Sequence, residues 1–362
     1  MQDAGIRRTG GAMNKDLHRR FVRDMLLARA FEERAAQEYT DGRIRGFLHL
    51  YPGEEAVAVG VLHAAEPSDY IVSTYREHVH ALVRGIPART IMAELFGKFG
   101  GVSHGMGGSM HIFDSERRFM GGYAIVGETF PVALGIGYAI AYRQLPEAVI
   151  CFFGDGAANQ GTFHESLNMA ALWRIPVLFV CENNRYQIGT EIRRHSALTD
   201  IHRRACAYAM PAEQADGMDV LTVYAAARRA LDAIRNEGGP RLIEFETYRF
   251  RGHSMADPGA YRPPAEVKAY LRDDPLAAVL RAAKVTDPTP GKPQPPAAGN
   301  APPSPPQGQA FDGLDAADIE AMRAEVAAVV DDAVRFAEAS PEPTLEDAWH
   351  AFHRNHAGEE LI

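Results

Sequence analysis

The sequence predicts an α/β fold, a mostly parallel sheet flanked by helices with a C-terminal helical extension, and three observations carry that expectation. Residues 147–190 alternate apolar runs and turn residues in the order strand, glycine turn, helix, turn, strand, which is one βαβ unit. Residues 287–306 hold nine of the chain's 23 prolines, so they form neither helix nor ladder and divide a large body from a short tail. The whole chain of 362 residues, 46% hydrophobic and 23% charged, is long enough to bury a substantial core as about two domains or one large one.

Taken in order, residues 1–12 carry Arg7 and Arg8 but no apolar core segment, so they are not a secretory signal and read as a disordered leader, with Met13 as an alternative start. The body spans residues 13–286. Within it, a strand over 149–153 runs into Gly154-Asp155-Gly156, a helix ends near Trp173, Pro176 marks a turn, and a second strand covers 177–181. A crossover of this kind makes its two strands parallel. Gly154-Asp155-Gly156 and Asn183-Asn184 therefore emerge at one carboxyl edge, where open α/β sheets bind ligands. Residues 287–310 read as a flexible proline-rich loop. The extension over 311–362 opens with Asp315 as an N-cap, and Ile319, Met322, Val326, Val329 and Ala333 follow at helical spacing as a docking stripe.

Charge and cysteine usage exclude several classes. Lys+Arg 38 against Asp+Glu 47 leaves a formal charge of −9, a poor match for a nucleic-acid backbone. The longest uncharged and predominantly apolar stretch, residues 129–142, is shorter than the roughly 20 residues a membrane helix needs. Cys151, Cys181 and Cys206 show no CxxC spacing, which points away from a disulfide scaffold or zinc site and toward a reducing, cytoplasmic setting. Cys151 and Cys181 fall in apolar runs and read as inert core residues.

Asp155 and Asn184 are 29 positions apart, yet the crossover brings both side-chain oxygens to one place. One anionic oxygen, one amide oxygen and a nearby carbonyl leave room in an octahedral shell for phosphate oxygens and water, the arrangement Mg²⁺ prefers. The adjacent glycines let a diphosphate approach the backbone, and the following helix N-terminus adds partial positive charge. Other phosphate motifs fit less well: GDGAANQG is not GxGxxG, and the chain has no GK[ST].

The segment GDGAANQGTFHESLNMAALWRIPVLFVCENNRYQIGT resembles the thiamine-diphosphate motif of the alpha subunits of pyruvate dehydrogenase, the first component of the 2-oxo acid dehydrogenases. Phe47-Leu48-His49-Leu50, Gly53-Glu54-Glu55-Ala56, Tyr75-Arg76-Glu77-His78, Gly107-Gly108-Ser109-Met110-His111, Ile125-Val126-Gly127 and the run from Arg251 through His253 to Pro258 follow in the family's order. The resemblance covers roughly residues 17–280 and implies a thiamine-diphosphate-binding fold. It implies Mg²⁺ held by Asp155, Asn184 and the Tyr186 carbonyl, with Gly154, Gly156 and Ala157 against the diphosphate. Tyr75 and Arg76 would grip the phosphates, Arg76 through the charge-assisted bonds its fork makes. The backbone of Ala124, Ile125 and Val126 would meet the aminopyrimidine. His49 and His253 would line the reaction chamber as catalytic residues, His253 also touching the cofactor.

The same resemblance implies partners. The activating glutamate and the domain that holds the aminopyrimidine are missing from a chain of this length, so a beta subunit in an α2β2 heterotetramer is expected. Pyruvate would be the substrate and the lipoyl domain of a dihydrolipoyl acyltransferase the acceptor. The nearest alternatives are an acetoin or branched-chain 2-oxo acid enzyme and a non-catalytic thiamine-diphosphate-binding subunit. His104 and Met106 stand where the family has lysines, and Glu54 where it usually has glutamine. Glu54 and Glu55 read as helix-start carboxylates favoured by the dipole.

Overall fold

A computed structural model describes residues 12–283 and 314–354. The expected leader over 1–12, apart from Ala12, and the proline-rich loop over 287–310 lie outside the described residues. Six strands form one sheet: β1 (Tyr70–Thr74), β2 (Phe119–Tyr123), β3 (Val149–Gly154), β4 (Val177–Asn183), β7 (Ala212–Asp216) and β8 (Arg241–Glu246). Their order is β2-β1-β3-β4-β8-β7, every pair is parallel, and β5 (Tyr186–Gln187) with β6 (Thr190–Glu191) makes a separate antiparallel ribbon.

A parallel sheet covered on both faces needs apolar side chains pointing both ways, and β3 and β4 provide them. Ile150, Phe152, Leu178 and Val180 enter one core, while Val149, Cys151, Phe153, Val177, Phe179 and Cys181 enter the other. The first core is closed by α1 (Ala12–Thr40), α2 (Glu55–Ala64), α4 (Ala88–Leu95), α8 (Val220–Glu237), α10 (Pro275–Ala282) and α11 (Ala316–Ala339). The second is closed by α5 (Thr129–Arg143) and α6 (Gly161–Leu172). Both expected core cysteines are fully buried, and burial pushes the Cys151 thiol up to about 12.

The βαβ expectation holds with small extensions, since β3 runs one residue and β4 two residues past the apolar runs. Asp315 caps α11 through a reciprocal capping box with Asp318. Ile319, Met322, Val326 and Ala333 are buried as expected, but Val330 is buried where Val329 was expected. That one-residue drift follows from packing on two helices at once: α11 lies across both α4 and α1, which widens the stripe beyond a single i, i+3 row.

Candidate functional site

Strand β1 pairs with β2 on one side and β3 on the other, so the chain reverses direction across the sheet at the β1/β3 junction. Ligands of doubly wound sheets bind beyond the carboxyl ends at such a switch point. The register sets the side chains there: Val72 lies opposite Cys151 and Gly154 opposite Glu182, so Tyr75-Arg76, Asp155 and Asn184 leave the sheet side by side. Asp155 opens a 3₁₀ turn over Asp155–Asn159 before α6. A Cβ on Gly156 would sit 2.6 Å from Gln187 Cγ, so any other residue here would force the exposed Gln187 side chain to move.

Asp155 is 1% exposed, and its Oδ2 lies 3.2 Å from Nε2 of His195. Asn184 donates from Nδ2 to Oε1 of Glu54 at 3.0 Å, and its Oδ1 accepts the Tyr186 N–H at 3.3 Å. The Tyr186 carbonyl accepts from the buried Arg249 guanidinium at 3.3 Å. That oxygen keeps its second lone pair for another partner. Among the described residues, no three His, Cys, Asp or Glu side chains gather to hold an ion unaided. Any cation here would draw on amide, carbonyl and ligand oxygens besides Asp155.

Arg76 is buried. Its guanidinium donates to the carbonyls of Leu50 and, at 2.8 Å, His253, and burial lowers its pKa. Three rings meet beside it. His49 lies 4.5 Å from Tyr75 and 5.1 Å from His253, and Tyr75 lies 5.7 Å from His253, centroid to centroid. Burial, reinforced by the Arg76 charge, pushes His49 down to about 2 and His253 down to about 3. Both imidazoles are therefore neutral near pH 7, and both Nδ1 atoms are buried without a hydrogen-bond partner. Asp257 fixes the His253 loop by accepting from the His253 N–H at 2.6 Å, the Gly259 N–H at 2.8 Å and the Tyr261 hydroxyl at 2.7 Å.

Comparisons with known proteins identify the family of the chain. Residues 23–285 match the family described as the dehydrogenase E1 component. The chain belongs to that family. It is 49% identical over 260 residues to the "Pyruvate dehydrogenase E1 component subunit alpha" of Porphyra purpurea, covering 70% of this chain and 76% of that protein. The protein of the same name from Rhizobium meliloti is 43% identical over 328 residues, covering 90% and 87%. That from Zymomonas mobilis is 49% identical over 258 residues, covering 71% and 73%.

In this E1-family chain the loop after β2 carries Ala124, Ile125 and Val126. Ile125 and Val126 are exposed, and the loop is tied to the start of α6, where Thr162 Oγ1 donates to the Gly127 carbonyl at 3.0 Å. Glu54 and Glu55 stand at a helix start as expected, Glu54 at the N-cap position and Glu55 in the first turn of α2, and both are fully buried. Glu55 pairs with Arg29 at 2.5 Å and accepts the Gly53 N–H at 2.8 Å. Glu54 makes no cap bond, and burial raises its carboxyl to about 7 although Arg76 Nε lies 3.8 Å away. Arg76 and Glu54 are each pushed toward the neutral form, so this contact does not offset their desolvation.

Sequence reasoning also passed over Glu94, Glu182 and Arg249. Buried Glu94 gathers the N–H groups of Ser103, Gly105, Gly107 and Gly108 at 2.7–3.0 Å, so the loop carrying His104 and Met106 is wrapped around an internal carboxylate. Glu182 accepts from the Tyr51 hydroxyl and lies 3.1 Å from His80 Nε2. Arg249 ties the carbonyls of Tyr186 and Ile188 to the Tyr261 hydroxyl. The available signal was a charged residue ending an otherwise apolar strand, as Glu182 does after residues 177–181.

Proposed function

We propose that this chain is the α subunit of a pyruvate dehydrogenase E1 component that binds thiamine diphosphate and Mg²⁺ and works with a β subunit in an α2β2 heterotetramer. The observation that carries this reading is that buried Asp155 and Asn184 follow the adjacent strands β3 and β4 at the carboxyl edge of the sheet, beside a glycine turn in which a Cβ on Gly156 would strike the Gln187 side chain. The donor set fits the cation: one carboxylate, one amide oxygen and the Tyr186 carbonyl, with the other positions left to phosphate and water. Gly154, Gly156 and Ala157 would lie against the diphosphate, and Tyr75 and Arg76 would hold its oxygens. Arg76 now spends two of its donors on carbonyls and keeps others for an anion. The backbone of Ala124 and Val126 would meet the aminopyrimidine.

When bound, thiamine diphosphate supplies the electron sink that decarboxylation of a 2-oxo acid requires. The protein supplies orientation and proton transfer. His49 and His253 are neutral near pH 7, but burial and the Arg76 charge make each a weak proton acceptor, and the negative charge of a bound diphosphate would oppose Arg76 and raise that basicity. Tyr75 packs against both rings. The acetyl group would pass to the lipoyl arm of a dihydrolipoyl acyltransferase.

A partner is supported by the outer face of α5 and α6. Tyr138, Tyr142, Leu172 and Trp173 are 50%, 79%, 71% and 46% exposed, an apolar surface of the kind partners cover. A cytoplasmic setting belongs to the proposal, and among the described residues no helix is long and apolar enough to cross a membrane. The test is reconstitution: the purified chain alone decarboxylates no pyruvate with thiamine diphosphate and Mg²⁺, and adding its β subunit restores turnover. Robust turnover by the chain alone, with contamination excluded by mass spectrometry, overturns the proposal.

A further inference from the structure

We infer that Glu54 is a positioning residue for Asn184, fixing which end of the carboxamide is presented to the divalent cation. The inference rests on the cation reading above and adds a residue to it. Glu54 stands at the N-cap of α2 but makes no cap bond, and its carboxylate reaches instead to a residue 130 positions away. There Oε1 accepts from Asn184 Nδ2 at 3.0 Å, and both residues are buried.

The two ends of an asparagine amide are nearly the same size, so shape alone does not decide which one faces a ligand. A cation requires the oxygen. An ionised carboxylate held at 3.0 Å admits only the NH2 end, because the flipped amide would set two acceptors against each other out of contact with water. Asn184 Oδ1 is thereby left at the opposite end, where it makes only a long 3.3 Å bond from the Tyr186 N–H. Its free lone pair is the one a cation would use.

The cations that favour a charged Glu54, Arg76 and Arg249, make no hydrogen bond to it, which leaves Asn184 as its side-chain hydrogen-bond partner among the described residues. The Arg76 guanidinium is directed at Leu50 and His253 carbonyls and comes no closer than 3.8 Å, while Glu54 Oε2 is buried with no hydrogen-bond partner. Burying a carboxylate with one oxygen unsatisfied is costly. The amide it orients gives that cost a function, as for other groups that align metal ligands from behind.

The experiment uses the reconstituted α/β complex with thiamine diphosphate and titrates Mn²⁺, following the free ion by electron paramagnetic resonance. Glu54→Met removes the acceptor at similar volume and is expected to weaken Mn²⁺ binding about 10–100-fold. Glu54→Gln retains an oxygen acceptor and is expected to bind within about threefold of wild type. A structural role alone would not separate these two variants. If Glu54→Met fails to assemble, Glu54→Ser leaves Nδ2 without the carboxylate and is read in the same titration. Wild-type affinity in the Met or Ser variant, or equal loss in Met and Gln, overturns the inference. Asp155→Ala separates the two levels: if it binds Mn²⁺ as wild type does, the cation reading fails; if it alone loses binding, only the role of Glu54 fails.

Discussion

Two charged regions of the molecule are built on opposite terms. Along the packing of α11 on α1, Arg19 meets Asp318 at 3.0 Å, Arg23 meets Glu325 at 2.9 Å and Arg34 meets Asp331 at 3.0 Å, all in contact with solvent. At the carboxyl edge of β1, β3 and β4, Glu54, Arg76, Asp155 and Glu182 are nearly sealed from solvent, two histidines are held neutral, and Glu54 Oε2 and both histidine Nδ1 atoms lack partners. Exposed pairs lose little if broken because water replaces the partner. Buried groups with unfilled hydrogen-bonding capacity are expensive to keep, and they cluster where a ligand is expected to supply the missing contacts.

The sharpest way to break this contrast is at Asp155. Asp155→Asn removes the only carboxylate proposed for the cation, and calorimetry on the α/β complex should find Mg²⁺-dependent thiamine diphosphate binding weakened by more than about 100-fold, beyond what a residue behind a ligand costs. Unchanged affinity would remove Asp155 from the site. His253→Ala should come next. Fold and cofactor binding stay intact, while transfer to the lipoyl acceptor slows by about 10²–10⁴, more than decarboxylation measured with an artificial electron acceptor. Equal rates for variant and wild type in both assays would refute a proton-transfer role.

The same contrast divides what was legible in the sequence. Apolar runs over 149–153 and 177–181, each followed by polar turn residues, declare two buried parallel strands and their ligand edge, because burial on both faces writes itself locally. Asp315 and its stripe are legible for the same reason, since a cap and a helical period are local. Glu54 is not. Its sequence neighbours give a helix start, and its chemistry depends on Asn184, 130 residues on, and on Arg76 from another strand end. Glu94 is hidden likewise, as an ordinary acidic residue in a helix until the loop over 103–108 folds back on it. Local pattern reports burial, while partners of buried charges are set by topology.

Acid should expose the cost of the neutral histidines. Unfolded, His49 and His253 take up protons below about pH 6.5, whereas in the fold they stay neutral down to about 2 and about 3. Between those limits the unfolded chain binds more protons, so stability falls as pH drops below about 6.5, by up to about 1.4 kcal/mol per pH unit for each histidine. Combining His49→Gln with His253→Gln removes that contribution. Melting temperatures at pH 8 and pH 5 should therefore differ less in the double variant than in wild type; an unchanged difference would mean that the ring cluster is hydrated.

The smallest effect belongs to the exposed layer. Arg23 is 38% exposed at its side chain and its partner Glu325 51%, so the 2.9 Å contact lies in high dielectric and holds two long side chains at an entropic cost. Arg23 also reaches Asp24 at 3.1 Å, which in turn meets His63 Nε2 at 2.7 Å, so Asp24 keeps a partner when the arginine is lost. What holds α11 in place is its apolar stripe, with Ile319, Met322 and Val326 each no more than 3% exposed against α1 and α4. Arg23→Ala should accordingly shift unfolding stability by less than about 1 kcal/mol. It should leave pyruvate turnover by the complex unchanged, and raising the salt concentration should shrink even that difference. A loss of several degrees in melting temperature would show that this layer, like the carboxyl edge, depends on its charges.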